Sequence, residues 1–313
     1  MQFLHQQGNT RNFQAAEHSQ KVTPPRRALL KLTGSLGLLT TLGLVGCEEP
    51  KKEAIAPKPL QTSSSEARRP MRALKGIGLT ADDAAGRNKL RLLNVEWSYD
   101  WGSGYPPQPT GAAFVPMIWS KRDIDARIQE VKDGMAEHRP AALLGFNEPD
   151  YTRQANMSVD EAIKAWPALE SVNVRLGSPA AALSSGHWLD EFMAKAKEAK
   201  LRVDFMTFHS YRNPNPEGFL KEVTALYEAY GKPIWVTEFA VADWNAREGR
   251  PSVYTTAQVQ EYMHATVDGL RKLPYVERFA WHPNKTSDLV MGPSALFNDD
   301  GSLTDVGATY ASL

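Results

Sequence analysis

Eight short apolar runs, each separated from the next by a stretch with helical spacing, constrain this 313-residue chain more than any other feature. The runs fall at 75–80, 90–98, 112–119, 141–146, 174–179, 203–209, 233–239 and 276–281 and favour the β-branched and aromatic residues that suit strands. Helical stripes are legible between them. Phe219, Leu220, Val223, Leu226, Tyr227 and Tyr230 line one helix face and stop at Gly231. Ser158 with Glu161 fits a capping box, and Thr256 stands before the stripe Val259, Tyr262, Met263, Val267 and Leu270. Such alternation implies parallel strands, because each crossover helix returns the chain to the same end of the sheet. Eight units in roughly 240 residues predict an α/β fold, a single (β/α)8 barrel, with a doubly wound open sheet as the alternative.

The region before the first run has a different character. Arg26 and Arg27 precede an apolar stretch at 32–46, which fits the basic and hydrophobic regions of an export signal and is too short for a typical membrane-spanning helix. RRALLK (26–31) resembles a twin-arginine signal, and LVGC (44–47) resembles the lipobox of bacterial lipoproteins. Cys47, the single cysteine, is then the lipidated first residue of the mature chain, and the alternative is an uncleaved N-terminal anchor. Residues 48–70 are rich in Lys, Glu, Pro and Ser and read as a tether. The expected organisation is a signal at 1–47, a tether at 48–72 and a catalytic barrel at 73–313, exported and held at a bacterial envelope membrane. The first 47 residues carry a net charge of +4 and the remainder −4, so no basic face for nucleic acid is implied.

Two of the runs end in a glutamate: Glu148 closes the fourth and Glu238 the seventh. In a barrel the active site lies at the C-terminal mouth of the strands, so these acids can face each other there although far apart in sequence. Glycoside cleavage needs such a pair, since one carboxyl group protonates the leaving oxygen while the other attacks the sugar or activates water. Each acid alone also fits a solvated loop position. Asn147 precedes the first acid, either as a sugar ligand or as a turn former before Pro149. His209 and Tyr211 share a strand face at the end of the sixth run; either can touch the sugar or orient Glu238, or can serve packing. Sugars offer apolar C–H faces, so glycan clefts use aromatic walls. Trp101, Trp119 and Trp281 stand at strand ends as candidate walls, with barrel packing as the alternative. Trp97 and Tyr99 alternate with Trp101 on one face, whereas simple alternation puts Trp235 opposite Glu238, against the helices. The histidines show no ligand spacing and no phosphate-binding glycine loop is present, so no metal and no cofactor are expected.

The motifs FVPMIW (114–119), LLGFNEPD (143–150), QANMS (154–158), VDFMTFHSY (203–211), PIWVTEFA (233–240), VERFAW (276–281) and GSLTDVGATY (301–310) carry a more specific signal. In this order the chain resembles glycoside hydrolase family 128, β-1,3-glucanases of the retaining (β/α)8 clan that share a domain with fungal cell-wall proteins. The resemblance implies double displacement with Glu148 as general acid/base and Glu238 as nucleophile. It also implies that the Asn147 amide binds the sugar 2-hydroxyl and that Tyr211 bonds the nucleophile. The chain departs from the pattern in two places: Asp100, where an Asn is expected between Tyr99 and Trp101, and His282-Pro283, where another aromatic is expected after Trp281. The expected activity is that of a monomeric, membrane-anchored endo-β-1,3-glucanase. A clan-related β-glycanase of another linkage specificity and a non-catalytic glycan-binding lipoprotein are the alternatives, the latter disfavoured by retention of both acids.

Overall fold

A computed structural model describes residues 72–182 and 186–313; Arg26, Arg27, Cys47, the apolar stretch and the 48–70 segment lie outside them. Within this region strands and helices alternate as the patterning predicts: β1 (Leu74–Gly78), α1 (Ala84–Leu93), β2 (Trp97–Tyr99), β3 (Ala113–Phe114), α2 (Ile124–His138), β4 (Ala142–Leu143), α3 (Val159–Glu170), β5 (Arg175–Leu176), α4 (His187–Glu198), β6 (Met206–Arg212), α5 (Pro216–Tyr230), β7 (Ile234–Val241), α6 (Thr256–Lys272), β8 (Val276–Trp281) and α7 (Asp305–Ser312). No described helix is long and apolar enough to cross a membrane.

Parallel ladders run in the order β3-β2-β1-β8-β7-β6, and β4 pairs with β5. The first and last strands are thus neighbours, which an open doubly wound sheet does not bring about. Isolated parallel bridges, Met117 with Leu144 and Gly177 with Phe205, carry the order from β3 to β4 and from β5 to β6. The strands therefore follow the ring that the alternation predicts, although ladder pairing is continuous over only six of them.

Two separate cores follow from the alternation of side chains. The outer one lies between strands and helices and includes Ile77, Leu143, Phe208, Val236, Phe239, Val267 and Trp281. The inner one contains Trp97, Tyr99, Val115, Met117, Ala142, Leu144, Phe205, Trp235 and Ala280, none of them helical. At the inner layer Trp235 stacks on Phe205, with ring centroids 4.0 Å apart, and tilts against Trp97 at 5.6 Å. Gly76 makes room for this layer, since a Cβ there would lie 2.1 Å from the Trp97 indole nitrogen.

Four expectations are corrected. The second apolar run divides: Leu90 and Leu93 end α1, which stops at Asn94 in the left-handed region (φ 51°), and only Trp97–Tyr99 form strand. Thr255 rather than Thr256 caps α6, through a box with Gln258, whereas the Ser158–Glu161 box forms on α3 as expected. Trp281 is not a cleft wall. Alternation along β8 turns Ala280 inward and Trp281 outward, where it is fully buried against Phe239 and Tyr262 and donates its indole N–H to the Ser294 carbonyl at 2.9 Å. Trp235 does the reverse and faces inward. The register between β6 and β7 steps from Phe208–Val236 to His209–Glu238, so Thr237 is an extra residue. This bulge breaks strict alternation and leaves Trp235 and Glu238, three residues apart, both facing into the barrel.

Candidate active site

Glu148 lies beyond β4 and Glu238 in the C-terminal half of β7, and different devices hold them. Beyond β4 regular pairing lapses, and single backbone bonds fix the chain: Asn147 N–H donates to the Trp119 carbonyl (2.9 Å) and Glu148 N–H to that of Ala180 (2.7 Å). Glu148 itself adopts φ +41°, a left-handed conformation that costs a non-glycine residue of order 1–3 kcal/mol and tends to cluster at functional sites. Glu238, by contrast, lies within the eight-residue strand β7, buried along its whole length.

Glu238 accepts from three side chains. Its Oε1 receives the Tyr99 hydroxyl (3.0 Å) and the Trp101 indole N–H (2.7 Å), and its Oε2 receives the Tyr211 hydroxyl. His209 lies between the acids, Nδ1 at 3.2 Å from Glu148 Oε1 and Nε2 at 3.5 Å from Glu238 Oε1. One carboxylate oxygen of each glutamate and a nitrogen of His209 fall within 4.8 Å of one another. Sequence spacing gave the histidines no such grouping; only the barrel brings His209 to the acids. The cluster is compact enough for a cation, yet both oxygens of Glu238 already accept hydrogen bonds.

Electrostatics set the two ends of this network apart. Burial pushes the Glu238 carboxyl up, but the charges of His209 and His282, with the hydrogen bonds from Tyr211 and Trp101, outweigh it and hold the group below the ordinary glutamate value. For His209 burial acts downward, and the attraction of Glu238 and Glu148 overcomes it, so the imidazole is raised. Burial beside Glu238 raises the hydroxyls of Tyr99 and Tyr211 well above the usual range, so they remain donors. Asp100 is pushed to about 6, chiefly by burial and against the stabilising Gly102 N–H.

The structure brings Asn147, Glu148, His209, Tyr211, Glu238 and Trp101 together. Asn147 is buried, its Nδ2 lies 3.4 Å from Gln154 Oε1, and its Oδ1 has no protein partner. Trp101 packs edge-on to Tyr99 and is partly exposed. Trp119 is partly exposed against the inner core, and its carbonyl anchors Asn147. Among the described residues of the predicted set, Trp281 lies away from the site, in the outer core. Sequence reasoning did not assign Tyr99 to the site, although its place between Trp97 and Trp101 carried the signal. His282 also adjoins the network, with its ring 5.8 Å from that of Trp101 and 5.6 Å from that of Tyr211.

Residues 76–310 match the family described as "Glycosyl hydrolase catalytic core". Alkali-sensitive linkage protein 1 of Schizosaccharomyces pombe is 29% identical over 231 residues, which are 70% of this chain; the match spans only 40% of that protein's length. Among solved structures, a family 128 (subgroup I) endo-β-1,3-glucanase of Amycolatopsis mediterranei, in complex with laminaritriose, is 31% identical. It superposes with a TM-score of 0.65 over 77% of this chain and 99% of that one. A subgroup V exo-β-1,3-glucanase of Cryptococcus neoformans is 27% identical, with a TM-score of 0.60 over 76% and 98% of the two chains. With its paired glutamates after β4 and within β7, this chain belongs to the glycosyl hydrolase catalytic core family and, within it, to glycoside hydrolase family 128.

Proposed function

We propose that the protein is a retaining endo-β-1,3-glucanase. The observation that carries this reading is the convergence of Glu148 and Glu238, with an oxygen of each within 4.8 Å. Retaining glycosidases hold their carboxyl groups about 5–5.5 Å apart, whereas inverting ones leave room for a water between groups about 6.5–9.5 Å apart. Glu238, held ionised by its donors and the nearby imidazoles, attacks the anomeric carbon as Glu148 gives a proton to the departing oxygen. Water then displaces the glycosyl ester, and Glu148 takes its proton. Asn147, with an unpaired buried Oδ1, is suited to bind a sugar hydroxyl beside the bond that breaks. Trp101 and Trp119 are suited to line the cleft. The endo relative has the higher identity and TM-score of the two glucanases compared above, which favours endo over exo action.

Export and a lipid anchor at Cys47 complete the reading, supported by Arg26, Arg27 and the apolar run before the cysteine. Proton NMR of the first product, on β-1,3-, β-1,4- and mixed-linkage glucans, tests the catalytic part. Retention of the β-anomer and cleavage of the β-1,3 polymer to a spread of oligosaccharides are expected; an inverted first product overturns it. Mass spectrometry of the membrane fraction tests the anchor, with acylation expected on wild-type protein and lost in Cys47→Ala.

A further inference from the structure

His282, where the chain departs from its family pattern, lies one residue beyond β8. Its N–H donates to the Phe239 carbonyl (3.0 Å), which places it beside Glu238 on the neighbouring strand. The ring leans on two side chains at once, inclined 57° to Trp101 and 78° to Tyr211. Those are the donors to opposite oxygens of Glu238. Asn284 sets the tautomer. Its Nδ2 donates to the His282 carbonyl (3.0 Å), which leaves its Oδ1, an acceptor only, 2.7 Å from His282 Nδ1. Nδ1 thus carries the proton of that bond.

We propose that His282 is a positioning residue for Glu238: its ring keeps Trp101 and Tyr211 on the two carboxylate oxygens, and its protonated form favours the ionised carboxylate. This inference rests on the reading of Glu238 as the nucleophile. Its direction agrees with the electrostatics, in which the His282 charge is among the influences lowering Glu238 against burial. Titratable groups near the ring include Glu238 and Tyr211, with His209 and Glu148 beyond them and exposed Lys285 and Asp288 on its own loop. Trp101 and Asn284, which also touch it, carry no charge.

Two substitutions separate packing from charge. His282→Phe keeps a ring against Trp101 and Tyr211 but removes the proton, whereas His282→Gln removes both. For each, kcat/KM on a β-1,3-glucan is measured across pH, because its acid limb reports ionisation of the free enzyme's nucleophile. Both variants should move that limb upward by about half a pH unit or more. His282→Gln should also lose about tenfold in kcat, with His282→Phe losing less. Acid limbs superposable on wild type in folded variants overturn the proposal, and should the Phe variant fail to fold, the Gln variant decides. Trapping with a 2-deoxy-2-fluoro-β-glucoside and mapping the labelled peptide keeps the two readings distinct. Label on Glu238 with an unmoved acid limb defeats this inference alone; label on another residue removes its foundation, the nucleophile assignment.

Discussion

The barrel's two sides differ in how much backbone pairing they have. Strands β6, β7, β8 and β1 run for seven, eight, six and five residues, while β3, β4 and β5 have two each. Glu238 belongs to the first side and takes three side-chain donors, from β6, β2 and the loop after β2. Glu148 belongs to the second and is placed mainly by its own backbone, with a positive φ and a bond to Ala180. In the roles proposed above, the nucleophile needs a fixed, ionised carboxylate, and preorganised donors supply that without rearrangement during the reaction. The acid/base must release and recover a proton, so a carboxyl group aimed by backbone geometry, with His209 Nδ1 at 3.2 Å, is the better arrangement.

Removing each acid in turn should give the largest effects. Glu238→Ala is expected to lose about 10⁴-fold or more in kcat on every substrate. Azide should restore turnover and give the α-glycosyl azide. Glu148→Ala should lose about 10²–10⁴-fold on polymer, yet far less on substrates with activated leaving groups, and azide should give the β-glycosyl azide. Exchanged azide products would reverse the roles of the two sides.

Next in size is the interior of the well-paired side. Trp235→Ala, which empties a layer shared with Phe205 and Trp97, should cost about 3–5 kcal/mol in urea denaturation, and buried Trp281→Ala in the outer core should cost about as much. Trp101→Ala should cost about 1 kcal/mol or less and instead reduce activity per folded molecule. Equal loss of stability in all three would remove the distinction between core and cleft.

Tyr211→Phe should lower kcat by about 10²-fold, the scale of a single preorganised donor. Glu238 is depressed partly by that hydroxyl, so its pKa should rise on substitution. The acid limb of kcat/KM should then move to higher pH. A limb that moves downward would show that Tyr211 does not favour the ionised carboxylate. The smallest effect concerns the sparsely paired side, where Ser158 caps α3, the helix that follows β4. Ser158→Ala should cost about 1 kcal/mol with kcat unchanged. A fall in kcat would show that α3 helps to aim Glu148.

Much of this arrangement was legible from local pattern. All eight runs yielded a strand because apolar β-prone residues bounded by helical stripes have few other solutions, and Ser158–Glu161 and Gly231 marked helix ends by chemistry that acts within a few residues. Strand lengths were not legible. The runs at 112–119, 141–146 and 174–179 kept only two residues each in ladders, because pairing depends on partners distant in sequence.

The sequence by itself determined the parallel α/β alternation, the choice of Glu148 and Glu238 as the paired acids, and the family. Each depends on residue order alone. The tertiary structure decided which aromatics face into the barrel, since one extra residue at Thr237 breaks the alternation that would have sent Trp235 outward, and position on β8 buries Trp281 in the outer core. It also decided that Tyr99, Tyr211 and Trp101 converge on one carboxylate and that His209 spans two. Those contacts join residues from different strands, and their register, which no local pattern encodes, is set when the barrel packs.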